Sequence, residues 1–253
     1  MTRWALRIEY DGTQFVGWQR QANGQSVQAV LEQAASHLNA GQPVASIVAG
    51  RTDAGVHAEG QVAHIDLRDG YTPRTIREAL NYHMKPWPVV VLQAVSVPED
   101  WNARFSAIRR AYRFRILNRR SRPALMADRV WHVPVPLDAA AMHAAAQQIL
   151  GRHDFSSFRA ASCQAKSPIR TLDRLDVQRH GDMIEVITEA RSFLHHQVRN
   201  FVGTLKLVGD GTWPIDRVAA ALEARNRAAA GPTAPPEGLA LIGVGYQPDP
   251  FAD

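Results

Sequence analysis

The stretch Gly50-Arg51-Thr52-Asp53-Ala54-Gly55-Val56-His57-Ala58 puts a carboxylate, a guanidinium and a hydroxyl between two glycines. Glycine takes positive φ and lets a backbone approach a ligand, so Gly50 and Gly55 would place Asp53 on a tight, exposed turn between two strands. An ionised carboxylate there can attack an electrophilic carbon or take a proton. The competing role is a plain hairpin turn in which Asp53 bonds only its own backbone.

Three further groups of residues could serve the same site. Arg104 to Arg115 is the densest basic stretch and is interleaved with aromatics. Strand alternation puts Tyr112, Phe114 and Ile116 on one face and Arg113 and Arg115 on the other, a surface on which a nucleobase can stack. An edge strand with solvated arginines and a core Tyr112 has the same pattern. His195, His196 and Arg199 fall on an expected helix, where adjacent histidines point about 100° apart and cannot both face one metal ion, so that a metal site there would have to recruit His57 or His64. Arg199, at the border of the apolar stripe, either snorkels to water or reaches a carboxylate. Asp53 is its natural partner, and that pairing would keep the carboxylate ionised. Finally, Pro235-Pro236-Glu237-Gly238-Leu239 turns into a last strand, where Leu239 lines a pocket or joins the core.

The elements that would position these groups repeat. Arg3 to Tyr10 alternates as a strand, and Ser26 caps a helix with Val27, Val30, Leu31, Ala34 and Leu38 on one stripe. Strands follow at Val44 to Ala49 and Gln61 to Leu67, then a helix opened by Thr72-Pro73 with Ile76, Leu80 and Met84 inward, then a strand at Val89 to Val97. That order is β-α-β-β-α-β, the ferredoxin-like unit. A second round runs through a strand at Arg110 to Leu117, a helix capped by Asp138, a hairpin around His180-Gly181-Asp182, and a helix from Leu194 to Val208. A helix near Ile215 to Arg225, a loose loop from Ala228 to Glu237 and a strand from Leu239 to Tyr246 complete it. The expected fold is α+β: halves of residues 1–103 and 104–253 in pseudo-twofold arrangement, joined in a broad antiparallel sheet with a central cleft.

Composition narrows the partners. A net charge of +5 and a pI near 9.8 point to a polyanion. Only three of the 29 basic residues are lysines; arginine suits bidentate phosphate contacts and base stacking, and the codon bias of a GC-rich genome would favour it equally, but the positive balance stands either way. A single cysteine, Cys163, leaves no internal disulfide and no four-thiolate metal site, which fits a reducing cytoplasm. The N-terminus lacks the pattern of a signal peptide, and no stretch is apolar for long enough to span a bilayer.

Taken together, Gly50 to His57, Arg104-Phe105, Arg110-Ala111-Tyr112, Phe193 to Asn200 and Glu237-Gly238-Leu239 make the chain resemble a tRNA pseudouridine synthase of the TruA type over nearly its whole length. The resemblance implies isomerisation of uridine to pseudouridine at positions 38 to 40 of the tRNA anticodon stem-loop, by a homodimer that needs no cofactor and no metal. It makes Asp53 the catalytic nucleophile held by Arg199, Tyr112 the residue stacked on the target base, Arg51 a helper in base flipping, and Leu239 a pocket wall. Arg110 joins them as a substrate-binding residue. Gln197 and Ala240 depart from the family pattern, which favours an apolar residue and an aromatic there. The rival functions are a tRNA-binding protein without catalysis, a nucleosidase that releases the base, and, weakest, a metal hydrolase.

Overall fold

The apolar alternation of the first strand and the caps of three helices set the frame of the computed structural model, which describes residues 1–252. In chain order the elements are β1 (Thr2–Tyr10), α1 (Val27–Leu38), β2 (Ser46–Val48), β3 (His57–Leu67), α2 (Pro73–His83), β4 (Val89–Val97), β5 (Arg109–Leu117), β6 (Trp131–His132), α3 (Ala139–Gln147), β7 (Gly151–Asp154), β8 (Ile169–His180), β9 (Met183–Ala190), α4 (Gln197–Gly209), α5 (Arg217–Glu223) and β10 (Leu239–Gly245). The chain is α+β, as expected, and divides into two units, Met1–Arg110 with Ala240–Asp253, and Ala111–Leu239.

In the first unit β1 lies between β4 and β3 and is antiparallel to both. β2 pairs antiparallel with β3, and β10 joins β3 in parallel through Ala240↔His57 and Leu241↔Ala58. Ser26 and Thr72 accept from the backbone N–H groups of Ala29 and Thr75, so both helices start where the sequence caps them. Each such cap is worth about 1 kcal/mol. Trp4, Leu6, Ile8 and Tyr10 are buried on one face of β1. Ala5, on the other face, packs in a second cluster with Ala49, Val62, Ala103, Ala107, Tyr246 and Phe251. Both faces of this sheet are therefore covered, and the cover of the second face comes from segments outside regular structure.

The second unit orders its strands β5-β9-β8-β7, with β6 parallel to β5 and β7 antiparallel to β8. Asp138 caps α3 through Ala140 N and Ala141 N, and Met142 and Ala145 are buried as their spacing requires. β6 and β7 are additions to the expected order: they are short and carry no apolar alternation. α4 begins at Gln197, not at Leu194, because His196 has φ 62 and breaks the helical path. The histidines thus precede the helix, with ring centroids 4.0 Å apart, and the helical argument about their directions does not apply to them. The loop after α5 is not loose. Asn200, fully buried on α4, donates to Phe158 O at 2.8 Å and accepts from Thr233 Oγ1 at 2.7 Å and Arg227 Nη2 at 3.2 Å. Gly203 lets that loop approach, since a Cβ there would stand 1.8 Å from Pro232 O.

Candidate active site

Asp53 lies half-buried between β2 and β3, with Arg51 exposed and Thr52 buried. Gly55 takes φ 76, the left-handed conformation that glycine tolerates best, and its N–H donates to Phe15 O at 3.3 Å. Gly50 does not take positive φ; its carbonyl accepts from Gln61 Nε2 at 2.8 Å. Gln61 Nε2 also donates to Tyr10 Oη at 3.4 Å, and the Tyr10 and Thr52 hydroxyls hydrogen-bond at 2.7 Å. Burial pushes the Tyr10 phenol up to about 12, so it is a neutral strut at any ordinary pH.

The segment that follows β1 supports the same loop from another side. Trp18 N donates to Thr52 O at 3.1 Å. Gly17, at φ 107, comes so close that a Cβ would stand 2.6 Å from that oxygen. Gly12 N donates to His57 Nδ1 at 3.0 Å, and Ala103 N donates to His64 Nδ1 at 3.1 Å, so each histidine commits one ring nitrogen to the backbone. Burial pushes the His64 imidazole below its usual range. Arg110 is buried, not spread on an open basic face. Its Nη2 donates to Ala49 O and Arg104 O, each at 2.7 Å, and its Nη1 to Ala107 O at 3.1 Å. The Thr52 hydroxyl of the motif is thus used to brace its own loop, and Tyr10, Gln61, Gly17 and Trp18 support that loop from outside the motif, where the one local sign is the buried-face position of Tyr10 in the β1 alternation.

In the second unit Tyr112 is 8% exposed and meets Phe193 edge-on, centroids 5.3 Å apart. Phe114 and Ile116 are buried beside it on the expected face. Arg113 and Arg115 do not form a bare cationic face: Glu185 Oε1 lies 3.1 Å from Arg115 Nε and 3.7 Å from Arg113 Nε. Arg199, half-buried on α4, donates from Nε to Ala234 O at 2.8 Å, and Ala234 N returns a bond to Arg199 O at 3.1 Å. Gln197 is 1% exposed and accepts from Leu194 N at 2.7 Å, closing the turn before α4 as an apolar residue could not. Leu239 is 5% exposed at the end of a turn closed by its N–H on Pro236 O at 2.9 Å. Gly238 is required there, since a Cβ would stand 2.7 Å from both Arg115 O and the Phe114 ring.

The first unit can therefore hold a carboxylate at fixed backbone coordinates beside an exposed guanidinium. The second can hold a buried aromatic wall and an arginine whose guanidinium is tied through Nε to a neighbouring loop. Against known proteins, the sequence model of the family described as "tRNA pseudouridine synthase" matches residues 7–106 and 145–247, segments that contain Arg51, Asp53, Arg199 and Leu239. The chain is 66% identical over 252 residues to the tRNA pseudouridine synthase A of Acidiphilium cryptum, covering 99% of each protein. It is 61% identical over 246 residues to that of Paramagnetospirillum magneticum (97% of this chain, 96% of the other). With that of Gluconobacter oxydans it shares 56% over 253 residues (99% and 92%).

Proposed function

This chain belongs to the tRNA pseudouridine synthase family, isomerases that convert uridine to pseudouridine in tRNA, and from that premise we propose that it acts at positions 38 to 40 of the anticodon stem-loop with Asp53 as nucleophile. The observation that carries this reading is the hold on the Asp53 loop. Its backbone is bonded at Ala49, Gly50, Thr52 and Gly55, while the carboxylate-bearing residue keeps access to solvent. Preorganisation of that kind positions a reacting group without further ordering cost.

In the proposed reaction the ionised Asp53 oxygen attacks the ribose anomeric carbon or C6 of the uracil ring, or takes a proton from the sugar, as the C–N glycosidic bond breaks. The ring turns and its C5 bonds the anomeric carbon, while Asp53 is displaced from that carbon, is eliminated from C6 or returns the sugar proton, according to the route taken; C5 then loses its proton while N1 gains one. Atoms and electrons balance within the nucleoside, so no co-substrate or cofactor is called for. Arg199 serves to keep Asp53 ionised, Tyr112 to stack on the target base, Leu239 to wall its pocket and Arg51 to stabilise the displaced strand. A base in a paired stem must leave its stack, at a cost of a few kcal/mol that such contacts offset. Arg110, bound to three carbonyls, fits a role in positioning the loop better than one in touching RNA. The protein would act as a homodimer in the cytoplasm; no helix among the described residues is long and apolar enough to cross a membrane.

The test is incubation of undermodified tRNA with the protein and its Asp53→Asn variant, followed by nucleoside separation and mapping. The expected result is pseudouridine at positions 38 to 40 with the parent protein, and none with the variant, which still binds tRNA. Free uracil in the product would replace this reading with a nucleosidase. Pseudouridine formed at full rate by the variant would remove Asp53 from the chemistry.

A further inference from the structure

The proposed reaction leaves unused the turn from Asn102 to Ala107 in the first unit, which presents the Phe105 ring at 75% exposure. Single apolar side chains at a surface are ordinary. What sets this one apart is how firmly its backbone is fastened.

Ala103 and Ala107 anchor the turn from beneath, 0% and 2% exposed in the cluster with Ala5, Val62, Tyr246 and Phe251. Ala103 N donates to His64 Nδ1 at 3.1 Å, and Tyr246 Oη donates to Ala103 O at 2.7 Å. Within the turn Asn102 Oδ1 accepts from Arg104 N at 2.9 Å and Phe105 N at 3.1 Å. Ser106 N donates to Asn102 O at 2.9 Å, and Asn102 N donates to Ser106 Oγ at 3.0 Å. One nitrogen of Arg110 then ties Arg104 O to Ala49 O, four residues before Asp53. A backbone bonded at so many points has little freedom left to lose, so docking on its ring is cheap in entropy.

The surroundings select the partner. The Arg104 guanidinium carbon stands 5.6 Å from the Phe105 ring centroid, and Arg109 is also exposed on this segment. An aromatic face beside cations matches a nucleobase and its phosphate. A second copy of this chain would bring another net charge of +5 to the same arginines, and the exposed Phe105 and Ile108 side chains together are far smaller than the apolar centre of a stable dimer interface.

We propose that Phe105 is a stacking platform for an unpaired base of the tRNA other than the reacting uridine, with Arg104 on the adjacent phosphate. The proposal rests on tRNA being the substrate and is independent of the role of Asp53. Its test is equilibrium binding of undermodified tRNA to the full chain carrying Phe105→Ala or Phe105→Trp, each also measured in the Asp53→Asn background. Phe105→Ala is expected to weaken binding about tenfold, the loss of one base stack, with the thermal midpoint kept. Phe105→Trp is expected to bind at least as tightly as the parent, with indole fluorescence quenched on adding tRNA. Unchanged affinity of Phe105→Ala overturns the proposal. So does a change of sedimenting mass in that variant at unchanged affinity, which would assign the ring to contact between copies. Pseudouridine formation by Asp53→Asn would sink the nucleophile assignment and leave this result standing.

Discussion

The loop that carries Asp53 and the helix that carries Arg199 are held in opposite ways. Around Asp53 the protein grips backbone: Ala49 O, Gly50 O, Thr52 O and Gly55 N each have a partner from elsewhere in the first unit. Around Arg199 it grips side chains: Asn200, Thr204, Arg227 and Thr233 bond one another and the 230–234 loop. A backbone grip leaves the side chains at 51 and 53 replaceable without loss of shape. A buried polar network fails as a unit, because each member removed strands the others without partners. Substitutions at the first region should therefore cost activity more than stability, and at the second stability more than activity.

The largest expected effect breaks activity alone. Asp53→Asn should lower turnover by at least about a thousandfold while the unfolding free energy stays within about 1 kcal/mol, read by nucleoside analysis and urea denaturation. Asn200→Leu should do the reverse. It leaves Phe158 O without its donor and removes the acceptor that Thr233 Oγ1 and Arg227 Nη2 share, and a loss of about 2–4 kcal/mol follows, lowering the midpoint of thermal unfolding by roughly 5–12 °C. If Asn200→Leu melts like the parent, the side-chain network is not what holds that loop.

The contrast also explains what could be read from the chain. Ser26, Thr72 and Asp138 were legible as caps because capping is local: a short polar side chain followed by an apolar stripe is a pattern within a few residues. The family motifs likewise pointed to the Asp53 turn and to α4. Nothing local, however, connects Asn200 with Thr233, 33 residues on, so an Ala-, Gly- and Pro-rich loop read as loose when it is tied down. The basic stretch misled for the same reason. Glu185 meets Arg115 from 70 residues away, and Arg110 turns inward to carbonyls that no pattern marks. Adjacent His195 and His196 continued an apolar periodicity that the left-handed φ of His196 interrupts.

Glycine substitutions sharpen the comparison within the first unit. Gly17→Ala puts a Cβ 2.6 Å from Thr52 O on a backbone at φ 107, which should cost about 1–3 kcal/mol and displace the loop, lowering turnover roughly tenfold. Gly41→Ala is the control. Its φ of 80 carries similar backbone strain, but nothing lies within 4 Å of the new Cβ, so stability should fall by about 1 kcal/mol with turnover per folded molecule unchanged. Equal losses of turnover in the two variants would show that strain, not contact with Thr52, is responsible.

The smallest expected effect isolates one strut. Tyr10→Phe removes the hydroxyl bonded to Thr52 and Gln61, and should cost about 1 kcal/mol at neutral pH. It should also change the alkaline limb of stability. The Tyr10 phenol is raised from its ordinary 10.0 to about 12 in the folded protein, so the unfolded chain releases that proton first. The contribution is complete below pH 10 and is lost as pH rises toward 12, at up to about 1.4 kcal/mol per pH unit. Tyr246, also raised by burial, gives a decline in the same direction that persists in the variant. Parent and Tyr10→Phe stabilities, measured by urea unfolding between pH 9 and 11.5, should thus converge as pH rises and cross at about pH 11, where the loss overtakes the roughly 1 kcal/mol that the hydroxyl contributes at neutral pH. Parallel curves would mean that the phenol ionises in the folded state as readily as in the unfolded one, and that the strut beneath Thr52 is open to water.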